Sequence, residues 1–150
     1  MDTTCSHTAR VFGQGVVIFL VIMSLAAGSD GRSITVGDSH GWSAGTNYTQ
    51  WATKNSPFHI NDTLVFKYPL PGNSTIAQSV YMLPNLWSYT TCQFRGAKLL
   101  GSAAQGAGEG LKVELNQSRP YYFASAEGNA YDCIAGLTKF IAVPSSTHLY

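Results

Sequence analysis

The chain has 150 residues, of which 45% are hydrophobic and only 11% are charged. Nine Lys and Arg residues against eight Asp and Glu residues give a formal net charge of +1, a balance that excludes disorder driven by high charge and low hydrophobicity. Because no block of basic residues is present to neutralise phosphates, the sequence argues against nucleic acid as the main partner. The length predicts one domain.

The first segment in chain order has the pattern of a secretory signal peptide. Arg10 precedes an apolar run over residues 16–23 that continues to Ala27, and small residues follow at once. The run is shorter than the ~20 apolar residues that a membrane span needs. A basic start, an apolar stretch and small residues are typical of a cleaved signal. We therefore predict a signal peptide over residues 1–28 with cleavage within residues 27–32, and an uncleaved anchor helix is the alternative.

The cysteines agree with an oxidising compartment. Of the three, Cys5 leaves with the predicted signal peptide, so that Cys92 and Cys133 remain. Two lone cysteines in a secreted domain are expected to form a disulfide. In the chain-entropy model, closing a loop of about 40 residues stabilises the fold by on the order of 4 kcal/mol. Two free thiols are the alternative.

Four sequons support secretion. They read Asn-x-Ser/Thr without proline and begin at Asn47, Asn61, Asn73 and Asn116. A single sequon is weak evidence, but four sequons behind a signal peptide are typical of a secreted glycoprotein. We therefore predict N-glycosylation at these four asparagines.

The rest of the chain is a series of short β-strand patterns separated by turn residues. The predicted strands cover residues 34–36, 63–68, 79–83, 111–115, 121–124 and 139–143. Short helical turns are predicted at residues 50–54 and 86–91, and the Gly-rich residues 101–110 are predicted as a flexible loop. Strands at this spacing favour a sandwich or a small barrel.

Several motifs resemble the phytocyanins, which are plant cupredoxins. The motifs lie, in the family's order, at residues 36–42, 48–51, 61–68, 83–92, 121–124 and 133–140. The resemblance covers roughly residues 33–144 and is strongest to the early nodulin-like (lamin-like) subgroup. It implies an all-β, cupredoxin-like, two-sheet Greek-key sandwich with short helical turns, followed by a short tail over residues 145–150. It also supports the pairing of Cys92 with Cys133, because the family has a disulfide near its metal site.

The best-known chemistry of this family is a blue-copper centre for electron transfer. Two imidazoles, one thiolate and a weak axial ligand hold the copper. The positions that the resemblance assigns to these ligands carry, in chain order, Gln78, Ser125, Asp132 and Leu137. None of these side chains is an imidazole or a thiolate, and Leu137 has no ligand atom. We therefore predict that the chain has no cofactor, with a copper-loaded electron carrier as the alternative.

Other residues do not restore the copper site. Cys133 is needed for the disulfide, and His40, His59 and His148 do not lie at ligand spacing to the degenerate positions. They are predicted to be surface or turn histidines. The three tryptophans are predicted to be buried or half-buried in the core; they are Trp42, Trp51 and Trp87.

Three further uses of the degenerate site are open. Gln78, Ser125 and Asp132 with Glu127 supply oxygen donors that suit a hard cation. Alternatively, they form a polar cluster in which Ser125 and Gln78 bond each other and Asp132 is partly exposed. Ser125, Asp132 and His40 supply the residue types of a hydrolase triad, but no G-x-S-x-G elbow surrounds Ser125. We predict that the chain is not an enzyme.

The function predicted from these observations is extracellular binding or signalling without copper. The candidate partners are a cell-wall polysaccharide, a glycoprotein or a peptide, and the emptied copper pocket is a candidate ligand site. The residues after Pro144 do not form the apolar tail of about 10–20 residues that a GPI signal requires. This predicts a protein secreted to the apoplast, with the outer face of the plasma membrane as the alternative if a longer isoform has such a tail.

Overall fold

The computed structural model describes residues 31–72 and 75–146. The predicted signal peptide over residues 1–28 lies outside the described residues, and so do Cys5, Asn73 and His148. Within the described ranges, no helix has the length and apolar character that a membrane crossing requires.

The described residues form nine short strands. Their bounds are β1 Ser33–Thr35, β2 Phe58–His59, β3 Thr63–Phe66, β4 Val80–Leu83, β5 Lys98–Gly101, β6 Leu111–Glu114, β7 Tyr121–Ala124, β8 Lys139–Ala142 and β9 Pro144–Ser145. One sheet has the order β1-β3-β6, and a second has the order β5-β4-β7-β8. β2 and β9 form a small parallel pair. The chain therefore alternates between two main sheets, as the two-sheet sandwich prediction requires.

Short helices connect the strands. They are a 3₁₀ helix at Asp38–His40, α1 at Tyr48–Asn55, α2 at Leu86–Thr91 and α3 at Tyr131–Ile134. Asparagine caps begin both longer helices, because Asn47 Oδ1 accepts from Gln50 N and Asn85 Oδ1 accepts from Ser88 N, each at 2.9 Å. The predicted helical turns at residues 50–54 and 86–91 are thus confirmed.

An aromatic cluster joins the two sheets. Phe66 of the first sheet packs against Phe123 and Phe140 of the second, with ring centroids 5.3 and 6.1 Å apart. Trp42 lies edge-on to Phe66 at 5.2 Å, and its Nε1 donates to the Ser79 carbonyl at 2.9 Å. All of these rings are fully buried. Burial of large aromatic rings supplies most of the apolar area that a small sandwich can remove from water.

A buried carboxylate fastens the start of the first sheet. Asp62 is 1% exposed. Its Oδ1 accepts from the Arg32 backbone N at 2.8 Å, and its Oδ2 accepts from His59 N at 2.9 Å and from Arg32 Nη2 at 3.0 Å. Arg32 O in turn accepts from Thr63 N at 2.8 Å. These bonds hold the chain that enters β1 against the turn between β2 and β3.

The structure confirms the predicted all-β class and the six predicted strands, with ends that differ by at most two residues. Burial of Trp42 and Trp51 is confirmed, but the prediction for Trp87 is wrong, because its exposed fraction is 66%. α2 has only six residues and buries Ser88 against the sheet, so the neighbouring Trp87 faces outward. The sequence patterns missed β2 and β9, which have two residues each, and β5, which ends in the Gly-rich segment.

Candidate functional site

Three of the four degenerate ligand positions meet at one end of the second sheet. Gln78 lies two residues before β4, Ser125 directly follows β7, and Asp132 lies in α3. Backbone bonds from Ser125 N to Thr138 O at 3.0 Å and from Thr138 N to Asp132 O at 2.8 Å tie α3 to the end of β7. The three side chains are buried, with exposed fractions of 2%, 0% and 3% in chain order.

The hydrogen bonds of this cluster differ from the predicted ones. Gln78 Nε2 donates to Asp132 Oδ2 at 2.9 Å. Ser125 Oγ accepts from the Ser79 backbone N at 3.3 Å, and Ala126 N donates to Ser79 Oγ at 3.2 Å. The predicted bond between Ser125 and Gln78 is therefore replaced by these contacts, and the predicted partial exposure of Asp132 is wrong.

The strand register explains the difference. β4 and β7 are antiparallel, and Tyr81 pairs with Ala124. The same register continued by two residues brings Ser79 beside Ala126, so that Ser79 rather than Gln78 contacts Ser125. Gln78 lies one step further along, where α3 supplies the Asp132 carboxyl group as its partner.

Leu137 occupies the fourth position. It lies between α3 and β8 with a backbone φ of +53°, and its side chain is 55% exposed. Since this side chain has no polar atom, it supplies no ligand.

Burial dominates the electrostatics of Asp132. Removal from water raises the pKa of the Asp132 carboxyl group, the hydrogen bond from Gln78 lowers it, and the nearby Glu127 carboxylate raises it again. The Ser125 hydroxyl lowers this pKa by a smaller amount, and the net shift is upward. The carboxyl group therefore favours its protonated form more than an exposed aspartate does.

The disulfide closes the side of the site formed by α2. Cys92, the residue after α2, is bonded to Cys133 of α3, and both are buried. Lys139 Nζ donates to the Tyr89 carbonyl at 3.0 Å and lies 3.4 Å from Cys92 Sγ. Burial lowers the pKa of Lys139. The disulfide bond uses both sulfur atoms, so neither cysteine is available as a thiolate ligand.

The donor set of the cluster is not that of a blue-copper centre. Such a centre needs a soft thiolate and two imidazoles, whereas these positions carry an amide, a hydroxyl and a carboxyl group. Across residues 31–72 and 75–146, no three His, Cys, Asp or Glu side chains are grouped so that they could hold a metal ion. A hard cation fits poorly as well, because Gln78 directs its amide nitrogen and not its oxygen at Asp132.

The remaining candidate residues lie apart from this cluster. His40 is exposed at the end of the 3₁₀ helix, and His59 lies in β2 with its Nδ1 3.9 Å from Asp62 Oδ2. The Ser125 hydroxyl is fully buried. A nucleophile must reach a substrate and a base, so this arrangement does not provide a hydrolase triad.

A cavity of about 280 Å³ opens beside Gln78. Trp42 contributes to its wall, and its other lining residues are Ser43, Ala44, Pro69, Thr75, Ile76 and Gln78. Among residues 31–72 and 75–146, the buried Gln78 Oε1 has no hydrogen-bond partner. Among these residues, the sequence patterns indicated only Gln78 as a site residue. The lining comes from two separate connections, residues 42–44 and the connection between β3 and β4, which only the fold brings together.

Three of the four predicted glycosylation sites lie in the described residues, and all three asparagines are exposed. Asn47 Oδ1 caps α1 and Asn116 Oδ1 accepts from Tyr121 Oη at 3.1 Å. Asn61 adopts a positive φ of 75° in the turn before β3. In Asn47 and Asn116 the bonds use the amide oxygen and not the nitrogen that carries a glycan.

A family model described as a plastocyanin-like domain matches residues 42–137. The chain belongs to the plastocyanin-like family. Among the curated relatives of this plastocyanin-like chain, early nodulin-like protein 4 of Arabidopsis thaliana is 30% identical over 139 residues, covering 88% of this chain and 57% of the relative. Early nodulin-like protein 9 of Arabidopsis thaliana is 33% identical over 126 residues, covering 81% of this chain and 53% of the relative. The chain thus spans about half the length of these relatives.

Solved structures of two cucumber proteins share the fold of this plastocyanin-like chain. Cucumber stellacyanin with Cu²⁺ at pH 7.0 has a TM-score of 0.60 and 21% identity, covering 79% of this chain and 99% of that one. Cucumber basic protein, a blue copper protein, has a TM-score of 0.56 and 24% identity, covering 75% and 99%. At these identities the likeness shows the cupredoxin fold alone. Together with the early nodulin-like relatives, it confirms the resemblance to the phytocyanins.

Proposed function

We propose that this plastocyanin-like chain is a secreted, N-glycosylated binding protein of the extracellular space whose cupredoxin fold carries no blue-copper centre. The observation that carries the proposal is Ser125. This residue stands where the resemblance places the thiolate ligand, and its hydroxyl is fully buried and accepts a hydrogen bond from Ser79 N.

The chemistry of the neighbouring positions supports the same conclusion. A blue-copper centre depends on the strong covalent bond between copper and a soft sulfur, and a serine hydroxyl at Ser125 does not supply it. Gln78 and Asp132 stand where the resemblance places the two imidazoles, and Gln78 Nε2 donates to Asp132 Oδ2 at 2.9 Å. Cys92 and Cys133 are committed to each other, and Cys5 lies in the predicted signal peptide.

Secretion and glycosylation are supported by independent features of the chain. The N-terminal pattern is that of a signal peptide, and a disulfide is typical of an oxidising compartment. The exposed positions of Asn47, Asn61 and Asn116 leave room for glycans. We place the mature protein in the apoplast.

We propose a binding role because the candidate catalytic residues do not form a catalytic arrangement. The buried Ser125 hydroxyl and the exposed His40 do not act together, so we propose that the chain is not an enzyme. Its partner is proposed to be a cell-wall polysaccharide, a glycoprotein or a peptide, and not a nucleic acid.

The alternative is a copper-loaded electron carrier, since both cucumber proteins are named as copper proteins. Titration of the purified, oxidised chain with Cu(II) separates the two functions. We expect no intense blue absorption, because thiolate-to-copper charge transfer requires a cysteine ligand. The matched control restores the ligand types with Gln78→His, Ser125→Cys, Asp132→His and Leu137→Met. A blue colour in the restored variant and none in the native chain supports the proposal, whereas a blue native chain refutes it.

A second experiment tests the compartment. The chain expressed in plant cells is expected in the extracellular fluid. Its mass should exceed that of the bare polypeptide, and enzymatic deglycosylation should remove this excess. Replacement of Asn47, Asn61, Asn73 and Asn116 by Gln provides the control, because this variant should lose the shift. Retention of the native chain inside the cell would contradict secretion.

A further inference from the structure

A cavity of about 240 Å³ lies between the edges of the two main sheets. β5 ends the strand order of the second sheet, and β6 ends that of the first. The residues of these two strands that line the cavity are Lys98, Leu100, Val113 and Glu114. Proteins commonly cover or charge the exposed edges of their sheets. The cavity therefore marks a place where the space between the two sheets opens to solvent.

The floor of this cavity is apolar and its rim is polar. Met82, Leu100 and Val113 are partly buried and pack against the core, and Tyr121 is 4% exposed. The other lining residues are exposed and polar or charged, namely Lys98, Glu114, Asn116, Gln117 and Arg119. Partly buried apolar groups gain free energy when a bound group removes them from water. An occupant with one apolar face and a polar edge matches this lining.

One residue of the cavity wall is itself a predicted glycosylation site. Asn116 begins the sequon Asn116-Gln117-Ser118 and lines the cavity. Its Oδ1 accepts from Tyr121 Oη at 3.1 Å, whereas a glycan is attached to the amide nitrogen. The hydrogen bond and the glycan therefore use different atoms, so that the bond to Tyr121 is compatible with glycosylation and orients the attachment point.

The connection that carries Asn116 is held in place by its own contacts. Gln117 N donates to Tyr121 Oη at 3.1 Å, and Arg119 N donates to the Gln117 carbonyl at 2.9 Å. Arg119 Nε also donates to Gln117 Oε1. The Arg119 guanidinium lies over the Tyr121 ring, 5.3 Å from its centroid. A fixed attachment point lowers the ordering cost of placing the first sugar of a glycan in the cavity.

We propose that the first N-acetylglucosamine of the Asn116 glycan docks in this cavity and covers the open edge of the sandwich. The C–H groups of a pyranose ring form an apolar face that covers Val113 and its apolar neighbours. Hydroxyl and acetamido groups project from the ring edge, where Lys98 and Arg119 supply donors and Glu114 an acceptor. Because the tether raises the local concentration of the sugar to the mM range, an intrinsic dissociation constant in that range is sufficient. The inference rests on the N-glycosylation in the proposed function.

Met82 provides a reporter on the cavity floor. The chain has three methionines, and Met1 and Met23 lie in the predicted signal peptide, so that Met82 is the single methionine of the predicted mature chain. The full chain is expressed in eukaryotic cells with methyl-¹³C methionine, and peptide mass spectrometry shows whether Asn116 carries a glycan. NMR then measures nuclear Overhauser effects between the Met82 methyl group and the sugar. It also measures relaxation of this methyl group by a soluble paramagnetic agent.

Two variants remove this glycan in different ways. Ser118→Ala destroys the sequon and leaves Asn116 unchanged, whereas Asn116→Asp keeps a side-chain oxygen that accepts from Tyr121. A dissociation constant equal to the local concentration fills the cavity half of the time, so we expect paramagnetic relaxation of the Met82 methyl group to rise about twofold or more in both variants. Asn61→Asp is the matched control, because it removes a glycan by the same change at an exposed residue that does not line the cavity. If one of the two variants does not fold, the other is compared with this control.

Each outcome decides the inference. Overhauser effects between the Asn116 sugar and the Met82 methyl group, with a rise in relaxation in Ser118→Ala and Asn116→Asp but not in Asn61→Asp, support docking. A glycosylated Asn116 whose removal leaves the relaxation unchanged overturns docking, while the proposed function stands. An equal rise in Asn61→Asp, or a rise in Asn116→Asp without one in a folded Ser118→Ala, overturns it as well. An unmodified Asn116 overturns docking together with the glycosylation proposed at this site, and the mass spectrum identifies that case directly.

Discussion

Replacement of Asp62 by alanine is expected to destabilise the sandwich more than any change to an exposed ion pair. The carboxylate is 1% exposed and accepts from the backbone N atoms of Arg32 and His59 and from Arg32 Nη2. In Asp62→Ala the two backbone donors lose their partner inside the protein. A buried unpaired donor costs about 1–3 kcal/mol. The guanidinium can regain water, because the Arg32 side chain is 51% exposed.

Two unpaired donors at this cost add up to an expected loss of about 2–6 kcal/mol. Urea unfolding followed by tryptophan fluorescence measures the change. Glu109→Ala is the matched control, because Glu109 also pairs with a cation, Lys112, at 3.1 Å but is 86% exposed. Its expected cost is about 0–1 kcal/mol. A loss of less than about 1 kcal/mol in Asp62→Ala would refute the role assigned to this carboxylate.

The same residue predicts a pH dependence. Burial alone raises the pKa of Asp62, but hydrogen bonds from the Arg32 side chain and from the backbone N–H groups of His59 and Arg32 outweigh it and lower the pKa. The stability from the ionised carboxylate is therefore complete above the unfolded pKa of about 3.9 and is lost as the pH falls through the lower folded value. Asp62→Ala should lack this acid-induced part of the stability loss. An identical acid profile in native and variant chains would contradict the assignment.

Three further predictions concern the core, the disulfide and the polar cluster. Phe140→Ala is expected to lower the free energy of unfolding by about 3–5 kcal/mol in urea, because Phe140 is fully buried. Trp87→Ala, at a 66% exposed position, should change it by less than about 0.5 kcal/mol, and equal losses would contradict the assigned core. Replacing Cys92 and Cys133 by serine should cost about 4 kcal/mol by the chain-entropy model for a separation of 41 residues; an unchanged urea midpoint would argue against the bond. The pKa of Asp132 is raised, so its ionisation costs stability as the pH rises from the unfolded value of about 3.9 through the higher folded pKa. Relative to the native chain, Asp132→Asn is therefore expected to raise the melting temperature more at pH 7 than at pH 3. A larger gain at pH 3 than at pH 7 would refute this.

Local sequence patterns were sufficient to predict much of the secondary structure. The alternation of Leu111, Val113 and Leu115 with polar residues predicted β6, and these three side chains are less exposed than Lys112 and Glu114 between them. Turn residues marked the strand ends, because proline fixes the backbone φ angle and glycine allows a positive φ, and both properties favour turns. Through the resemblance, motif order along the chain also indicated which four positions to compare with the copper ligands of the family.

The candidate site depended on the tertiary structure. Gln78 and Asp132 are 54 residues apart in the chain, and only the register of β4 on β7 and the position of α3 make them partners. The same contacts bury Asp132, which its polar character alone does not predict. The exposure of Trp87 likewise follows from the packing of α2, because this short helix buries Ser88 against the sheet and leaves Trp87 facing solvent.

The sequence by itself determined the all-β class and the family, because these properties reside in local alternation and residue identity. The tertiary structure decided which polar groups satisfy one another and which are left over. Gln78 Nε2 donates to Asp132 of α3, whereas Gln78 Oε1 has no partner among the described residues. Residues 42–44 and the connection between β3 and β4 line the cavity beside Gln78. Such an arrangement depends on long-range packing, which no short stretch of the chain encodes.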